Sequence, residues 1–507
     1  KEAQKHRKLI RYRIIVKIKN NFKAFYPDKK HRESNYSYFV NDGQKTFEGI
    51  HFNDLPKLQS IELITSEDQT NKYILKGNFD DYRGEGTLIY DGKVHDHIRF
   101  RARGKNSRHN KIKRNIKFSL NNNNPLVIKD DYGNKYNYSR SKVSLSGGWI
   151  NDCNSHGLTE AIIYKTASLM GGFNKHTDYC QLRLIDNHEE EGINGDFWGV
   201  YQLMEDWGGT MLAEHGLPDG NIYTYKDWTL SHQGESGPFG EDNEDYTIWN
   251  EGLGDSKNGK STDKKQDVSL DFILQNLDLD YYYGDLLLNE ITCNGETNYL
   301  GQHSYREYFN PKSKKWIAQC GDYDETFGSN HSKASIYPRS ESRDWRNMRG
   351  LLKREVLQYD TLKIEFSNFL RGSIDLLLNE EQLTHLLNNE SSAIFNESNL
   401  TNWTELDYAR WSQAEGSEMK YSDYKKNVLN WYHDWFINRA DHLLNDSISY
   451  NNYKLGEEKR SPTENIYFYE EVLIPESPII SYSGKENYAL NQLSFHSSGN
   501  TNDLNSI

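Results

Sequence analysis

No stretch of this 507-residue chain approaches the ~20 consecutive apolar residues that a bilayer-crossing helix needs, which excludes such a span. Nor does the start combine a basic head, an apolar run and a small-residue cleavage site, so no signal peptide is visible in it. Apolar residues are few altogether. They make up 35% of the chain, 35 tyrosines supply a large part of them, and the mean hydropathy is -0.90. Cysteine is scarcer still: Cys153, Cys180, Cys293 and Cys320 are scattered, with no CxxC pair. That excludes a zinc ribbon and a disulfide scaffold, and it predicts reduced, buried thiols in keeping with a cytoplasmic origin. An excess of positive charge is lacking too. Lys+Arg 61 against Asp+Glu 74 leaves -13, which argues against a general nucleic-acid binder. The first 32 residues are the exception, with twelve Lys/Arg against two Asp/Glu. They read either as a solvated leader or as an arm that docks on an acidic partner or nucleic acid.

At ~150 residues per domain the length allows about three units, or one large domain with additions. There is no internal repeat. Residues 11–19 are β-like, and 46–64 alternate weakly. Gly84–Tyr90 followed by Asp91-Gly92 and Val94–Arg103 predicts a β-hairpin with a two-residue turn. Asn115–Leu120 alternates as a further strand. Leu158–Met170 has helical spacing along one face, with Gly171-Gly172 as its stop. Tyr179–Ile185 and Phe197–Met204 read as strands, Asp278–Asn289 as a helix, and Trp316–Ala318 as a short strand. Two or three helices are expected between Asn347 and Asn389, and Tyr421–Asn445 is a long amphipathic helix. The pattern is α+β: a basic arm over 1–45, a main domain over 46–450 with a polar insertion at 227–265, and an appendage over 451–507.

Three segments carry candidate chemistry. In Arg101–Arg108, followed by Lys111, Lys113 and Lys117, a glycine after a strand is succeeded by small polar and basic residues. Backbone N–H groups can approach phosphate closely there, and lysines supply point charges. The segment is no P-loop, and taken alone it reads more simply as a basic hairpin turn. In Gly321–Gly328 two aspartates, Asp322 and Asp324, stand two apart just after a strand. They would converge on a hard cation such as Mg²⁺, or form a solvated acidic turn. In Gly199–Asp206 a strand ends in Glu205, placed either to pair with a lysine, as kinases use a Lys–Glu pair, or simply at a surface strand end.

In order along the chain, these residues resemble the CotH kinase family of spore coat proteins, atypical protein kinases with a divergent kinase-like fold. Arg103-Gly104-Lys105-Asn106-Ser107 and Asn115-Ile116-Lys117-Phe118 follow the family's R-G-N-S and K-[FL] pattern. Asn194-Gly195-Asp196-Phe197-Trp198-Gly199-Val200-Tyr201-Gln202-Leu203-Met204-Glu205 follows its N-G-x-[YF]-[WR]-G-x-Y-x-[LV]-x-E run. Asp219–Tyr223 repeats a D-G-N-I-Y segment, and Asp322–Gly328 follows the D-x-D-x-[TS]-[FW]-G motif, with Gly321 in place of Trp. Trp431, Phe436 and Arg439 resemble the family's closing helix.

The resemblance implies a bilobal fold with a β-rich N-lobe and a helical C-lobe. It implies ATP as cofactor, bound through Arg103, Gly104, Asn106, Ser107 and Lys117, with Lys111 or Lys113 on the phosphates and Glu205 orienting the lysine or the metal. Asp322 and Asp324 would hold Mg²⁺ or Mn²⁺. The family's catalytic-loop Asp has no counterpart in Asn294–Tyr305; Glu296 is the best substitute acid, and His303 is a second proton acceptor. The helix from Leu158 has Thr159 and Glu160 where an Arg is usual. The implied activity is Ser/Thr phosphorylation of a protein partner. The alternative is a pseudokinase serving as a structural or assembly protein of a coat, particle or virion. A carbohydrate-binding reading, from 11 Trp and 35 Tyr, is weaker because most of these aromatics fall in core patterns.

Overall fold

The computed structural model describes residues 6–12, 14–18, 22–26, 36–41, 44–76, 83–104, 113–148, 157–187, 189–192, 195–224, 229–234, 268–294, 305–321, 323, 326–327, 356–395, 402–415 and 421–445. The expected appendage 451–507 and most of the expected insertion 227–265 lie outside them. Helix and strand are both abundant, as an α+β chain requires. Two compact units divide the chain. The first comprises Lys1–Ile150, Thr177–Asp206 and Ser392–Tyr421; the second comprises Asn151–His176, Trp207–Ser391 and Ser422–Ile507.

The first unit opens with three small antiparallel ribbons. Their strands are Lys8–Tyr12 (β1), Ile14–Ile18 (β2), Phe22–Tyr26 (β3), Tyr36–Val40 (β4), Thr46–Phe47 (β5) and Ile50–His51 (β6), paired β1–β4, β2–β3 and β5–β6. Seven further strands close into a barrel: Gln59–Ile64 (β7), Gly84–Tyr90 (β8), Lys93–Ala102 (β9), Ile116–Ser119 (β10), Lys142–Ser146 (β11), Thr177–Ile185 (β12) and Phe197–Met204 (β13). Their order is β10-β11-β13-β12-β7-β8-β9, and every pairing is antiparallel except β12 with β7. Alternation builds the core. Ile98 and Phe100, Ile116 and Phe118, Val143 and Leu145, Cys180 and Leu182, and Tyr201 and Leu203 point inward, and the residues between them point out. The β8–β9 turn is as the sequence suggested: Asp91 and Gly92 both take positive φ, 49° and 72°, the backbone of a type I′ hairpin.

Part of the basic arm is tied to this unit. Arg7 donates to Asp196 at 2.6 Å, and Arg11 reaches Asp96, with Nη2 to Oδ1 at 2.8 Å. Acidic groups of the chain itself therefore meet two of the arm's cations.

The second unit has a four-stranded antiparallel sheet, Ile222–Thr224 (β14), Thr229–His232 (β15), Tyr305–Asn310 (β16) and Lys315–Cys320 (β17), in the order β15-β14-β16-β17. Its helices include Leu158–Leu169, Leu279–Thr292, Asp360–Leu376 and Tyr421–Asn445. The first of these is not one-faced as its spacing suggested. It is buried nearly all round, Thr159 and Glu160 included, and Gly172 N–H bonds back to Ala167 O at 2.8 Å to end it. Cys180 and Cys293 are buried thiols that form no disulfide, as expected.

Candidate functional site

Among the sequence-derived candidates, Arg103, Gly104, Lys113, Lys117 and Glu205 fall within the described residues. Asn106, Ser107, Lys111, Glu296, His303, Asp322 and Asp324 lie outside them. Arg103 and Gly104 leave the end of β9. Arg103 N–H bonds to Asn115 O at 2.8 Å and closes the base of the basic loop, while Gly104 has φ 104°, a conformation that favours glycine. Lys117, on the outer side of β10, pairs with Asp206 at 2.6 Å, and both remain partly exposed.

Lys113 has a different setting. Its ammonium is buried, donates to Asp407 at 2.7 Å and to Val200 O, and lies 4.8 Å over the Tyr201 ring. A phosphate reaching it would displace Asp407 and leave a buried carboxylate unpaired, which costs several kcal/mol. Asp407 belongs to the helix Trp403–Glu415, and the sequence reading did not mark this helix.

Why that helix docks is legible in β13. A bulge between β12 and β13 pairs Leu182 with Gly199 and Arg183 with Phe197, so Trp198 is an extra residue. The bulge leaves main-chain groups without ladder partners, and the helix supplies them. Asp407 accepts from Val200 N–H at 2.9 Å, Trp411 Nε1 donates to Trp198 O at 2.9 Å, and Arg410 Nε donates to Phe197 O at 3.3 Å. Gly199 sits at φ +128°. A Cβ there would collide with Asp407 Oδ1 and stand 2.8 Å from Trp411 Nε1. The W-G-x-Y part of the motif is therefore a docking device for a helix.

Glu205 at the end of β13 is buried and pairs with buried Arg140 at 3.1 Å. The guanidinium also stacks over Tyr136 at 4.5 Å, and Tyr136 donates to Asp178 at 2.9 Å. Burial pushes the Tyr136 hydroxyl well above its ordinary pKa, with the Asp178 charge adding to it, so Tyr136 stays a neutral donor. Among the described contacts Glu205 thus pairs with an arginine, whereas the resemblance implied that it orients a lysine or the metal.

In the second unit two described residues of the Gly321–Gly328 segment, Tyr323 and Phe327, are held in the core. Tyr323 is fully buried, donates to Asp285 at 3.3 Å and meets Tyr164 edge-on at 5.7 Å. Asp285 in turn accepts from Asn289 Nδ2 at 2.9 Å. Phe327 N–H bonds to Thr292 O at 2.6 Å, with φ 54°. That bond satisfies one of the last carbonyls of Leu279–Thr292. Trp435 Nε1 to Ile291 O, 2.8 Å, and Arg439 Nε to Glu290 O, 3.1 Å, satisfy two more. The closing helix thus caps the helix on which the turn rests.

The residues just described span the barrel from β9 to the closing helix, and a model of the family described as CotH kinase protein matches residues 100–443. The chain belongs to the CotH kinase protein family. No curated protein matches it. The family match takes in both units and every sequence-derived candidate residue. It also covers Arg140 and Asp407, which the sequence reading missed. The signal for Asp407 was Gly199, a glycine inside a strand that marks a close approach. Arg140 had no local signal, because only the strand pairing brings it to Glu205.

Proposed function

We propose that the chain is an ATP- and metal-dependent protein kinase that phosphorylates Ser or Thr of a protein partner. Membership of the CotH kinase protein family carries this reading. The β-barrel unit would be the β-rich lobe and the second unit the helical lobe of a divergent bilobal kinase. Lys117, Arg103 and the loop with Asn106, Ser107 and Lys111 would bind phosphates. Asp322 and Asp324 would hold Mg²⁺ or Mn²⁺. The donor types suit a hard cation: two carboxylates stand on either side in sequence of Tyr323, whose ring is buried in the core. The ion would supply charge neutralisation on the transferred phosphoryl group, where positioning and electrostatics dominate. Glu296 or His303 would take the acceptor's proton.

A second reading, an inactive member acting as an assembly protein of a coat, particle or virion, draws support from Lys113, whose ammonium is engaged by Asp407. The two readings separate on nucleotide binding. ATP with Mn²⁺ raises the melting temperature of the wild type and not of Asp322→Ala if the kinase reading holds. No rise in the wild type favours the assembly role.

A further inference from the structure

The second unit carries a cavity of about 280 Å³ that none of the candidate phosphate or metal residues lines. Three elements wall it. Asp278 precedes the helix Leu279–Thr292, Leu279 and Asp280 begin it, and Tyr283 follows one turn on. Glu365 and Phe369 stand one turn apart on Asp360–Leu376, and Lys315 opens β17. The acidic turn follows the other end of β17, about 17 Å along the strand from Lys315. The cavity is therefore separate from the proposed metal site.

Its walls combine rings and carboxylates. Tyr283 and Phe369 are each 5% exposed, and their rings lie 6.2 Å apart at 42°, a rigid aromatic side. Around them stand three carboxylates and a single ammonium. Tyr283 donates its hydroxyl to Glu365 Oε2 at 2.9 Å, which fixes that carboxylate and leaves Oε1 for another donor. Asp280 and Glu365 are exposed, so the cavity opens to solvent. Among the described residues none forms an ion pair with Asp278, Asp280 or Lys315. Burial, and then the charge of Asp280, raise the Asp278 carboxyl above its usual range, and Lys315 opposes them less strongly. The negative charge of the cavity is thus incompletely met from within.

Size and charge select the occupant. The volume falls just short of the ~300–1,000 Å³ of small-molecule sites, so it holds one side-chain-sized group. Three carboxylates disfavour an anion, and they do not crowd together as the ligands of one metal ion do. A guanidinium meets both kinds of wall. It brings five N–H donors to separated carboxylates, and its flat face stacks on an aromatic ring.

We propose that this cavity binds a guanidinium on a slender stem, supplied by an arginine of a protein partner or by a small free guanidine. The site stands or falls independently of the kinase reading, because no nucleotide takes part.

The test titrates the full chain, by ligand-observed NMR, with butylguanidinium, with acetyl-Gly-Arg-Gly-amide and with the same peptide carrying citrulline. The arginine peptide is expected to bind, and the citrulline peptide, equal in shape but uncharged, is not. Asp280→Asn combined with Glu365→Gln lowers the affinity about tenfold. Lys315→Met removes the competing cation and raises it, a gain that misfolding cannot produce. An arginine peptide that binds about tenfold tighter than butylguanidinium identifies a protein chain as the source, and equal affinities identify a small free guanidine. The proposal is overturned by a wild type that binds neither cation, by a citrulline peptide that binds as well as the arginine one, or by affinities that these substitutions leave unchanged.

Discussion

Lys113 and Asp407 form the most instructive pair at the scale of single residues. Both are essentially inaccessible, and each has further partners in the barrel wall. Breaking such a pair leaves a bare buried charge, so Lys113→Met or Asp407→Leu alone is expected to destabilise the chain by about 3–5 kcal/mol. Replacing both is expected to cost less than the sum of the two single changes, because no charge is stranded. Urea denaturation of the three variants measures this. A double variant as unstable as the sum would mean that the two residues do not act as a pair. The lysines illustrate what a sequence shows and what it hides. Lys111, Lys113 and Lys117 look alike in a basic run, and spacing alone offers no reason to separate them. Lys113 is set apart by a carboxylate nearly three hundred positions away in sequence. That partner comes from a helix whose buried face mixes Trp403, Thr404, Leu406, Asp407 and Trp411, too polar a mixture to stand out as an apolar stripe.

At the scale of elements, the parts governed by local chemistry were legible. The hairpin at Asp91-Gly92 and the helix Tyr421–Asn445 follow from turn chemistry and a strong period. Leu279–Thr292 was recognised as a helix, but its inner polar residues, Asp285, Asn289 and Glu290, are buried by neighbours that the sequence does not place. Their purpose emerges only with Tyr323, Trp435 and Arg439 in position. Phe327 is the keystone of that arrangement. It is fully buried, and its ring lies 5.1–6.0 Å from those of Trp431, Tyr432, Trp435 and Phe436. Phe327→Ala is expected to cost about 3–5 kcal/mol and to loosen the acidic turn. Faster hydrogen exchange at the end of Leu279–Thr292 would accompany the loss of stability. Unchanged exchange there would mean that the turn is held by other contacts.

At the scale of the whole molecule, the basic arm and the kinase assignment matter most. The arm's two arginine pairs respond to acid in opposite senses. Burial raises the Asp196 carboxyl above the usual carboxylate range even against Arg7. Burial also opposes ionisation of Asp96, but hydrogen bonds from Arg11 and Thr87 outweigh it and hold that carboxyl below the range. Asp96 therefore contributes stability above its unfolded pKa, and this is lost as pH falls through its lower folded value. Asp196 favours the fold most when protonated, and that contribution is lost as pH rises from its unfolded to its folded pKa. In a carboxylate titration followed by NMR, Asp196 is expected to protonate before Asp96 on acidification. The reverse order would contradict the account in which hydrogen bonds from Arg11 and Thr87 outweigh burial at Asp96 and burial outweighs Arg7 at Asp196.

The central claim is that this member of the CotH kinase protein family transfers phosphate, with Asp322 and Asp324 holding the metal. Its most direct test is the intact mass of the purified protein, with an added protein acceptor, after incubation with ATP and Mg²⁺ or Mn²⁺, beside an Asp322→Ala control. The expected result is a gain of one or more phosphates on the protein or the acceptor that requires the metal and disappears in the control. A gain of AMP, a gain that survives Asp322→Ala, or no gain together with no nucleotide-induced rise in melting temperature would contradict it.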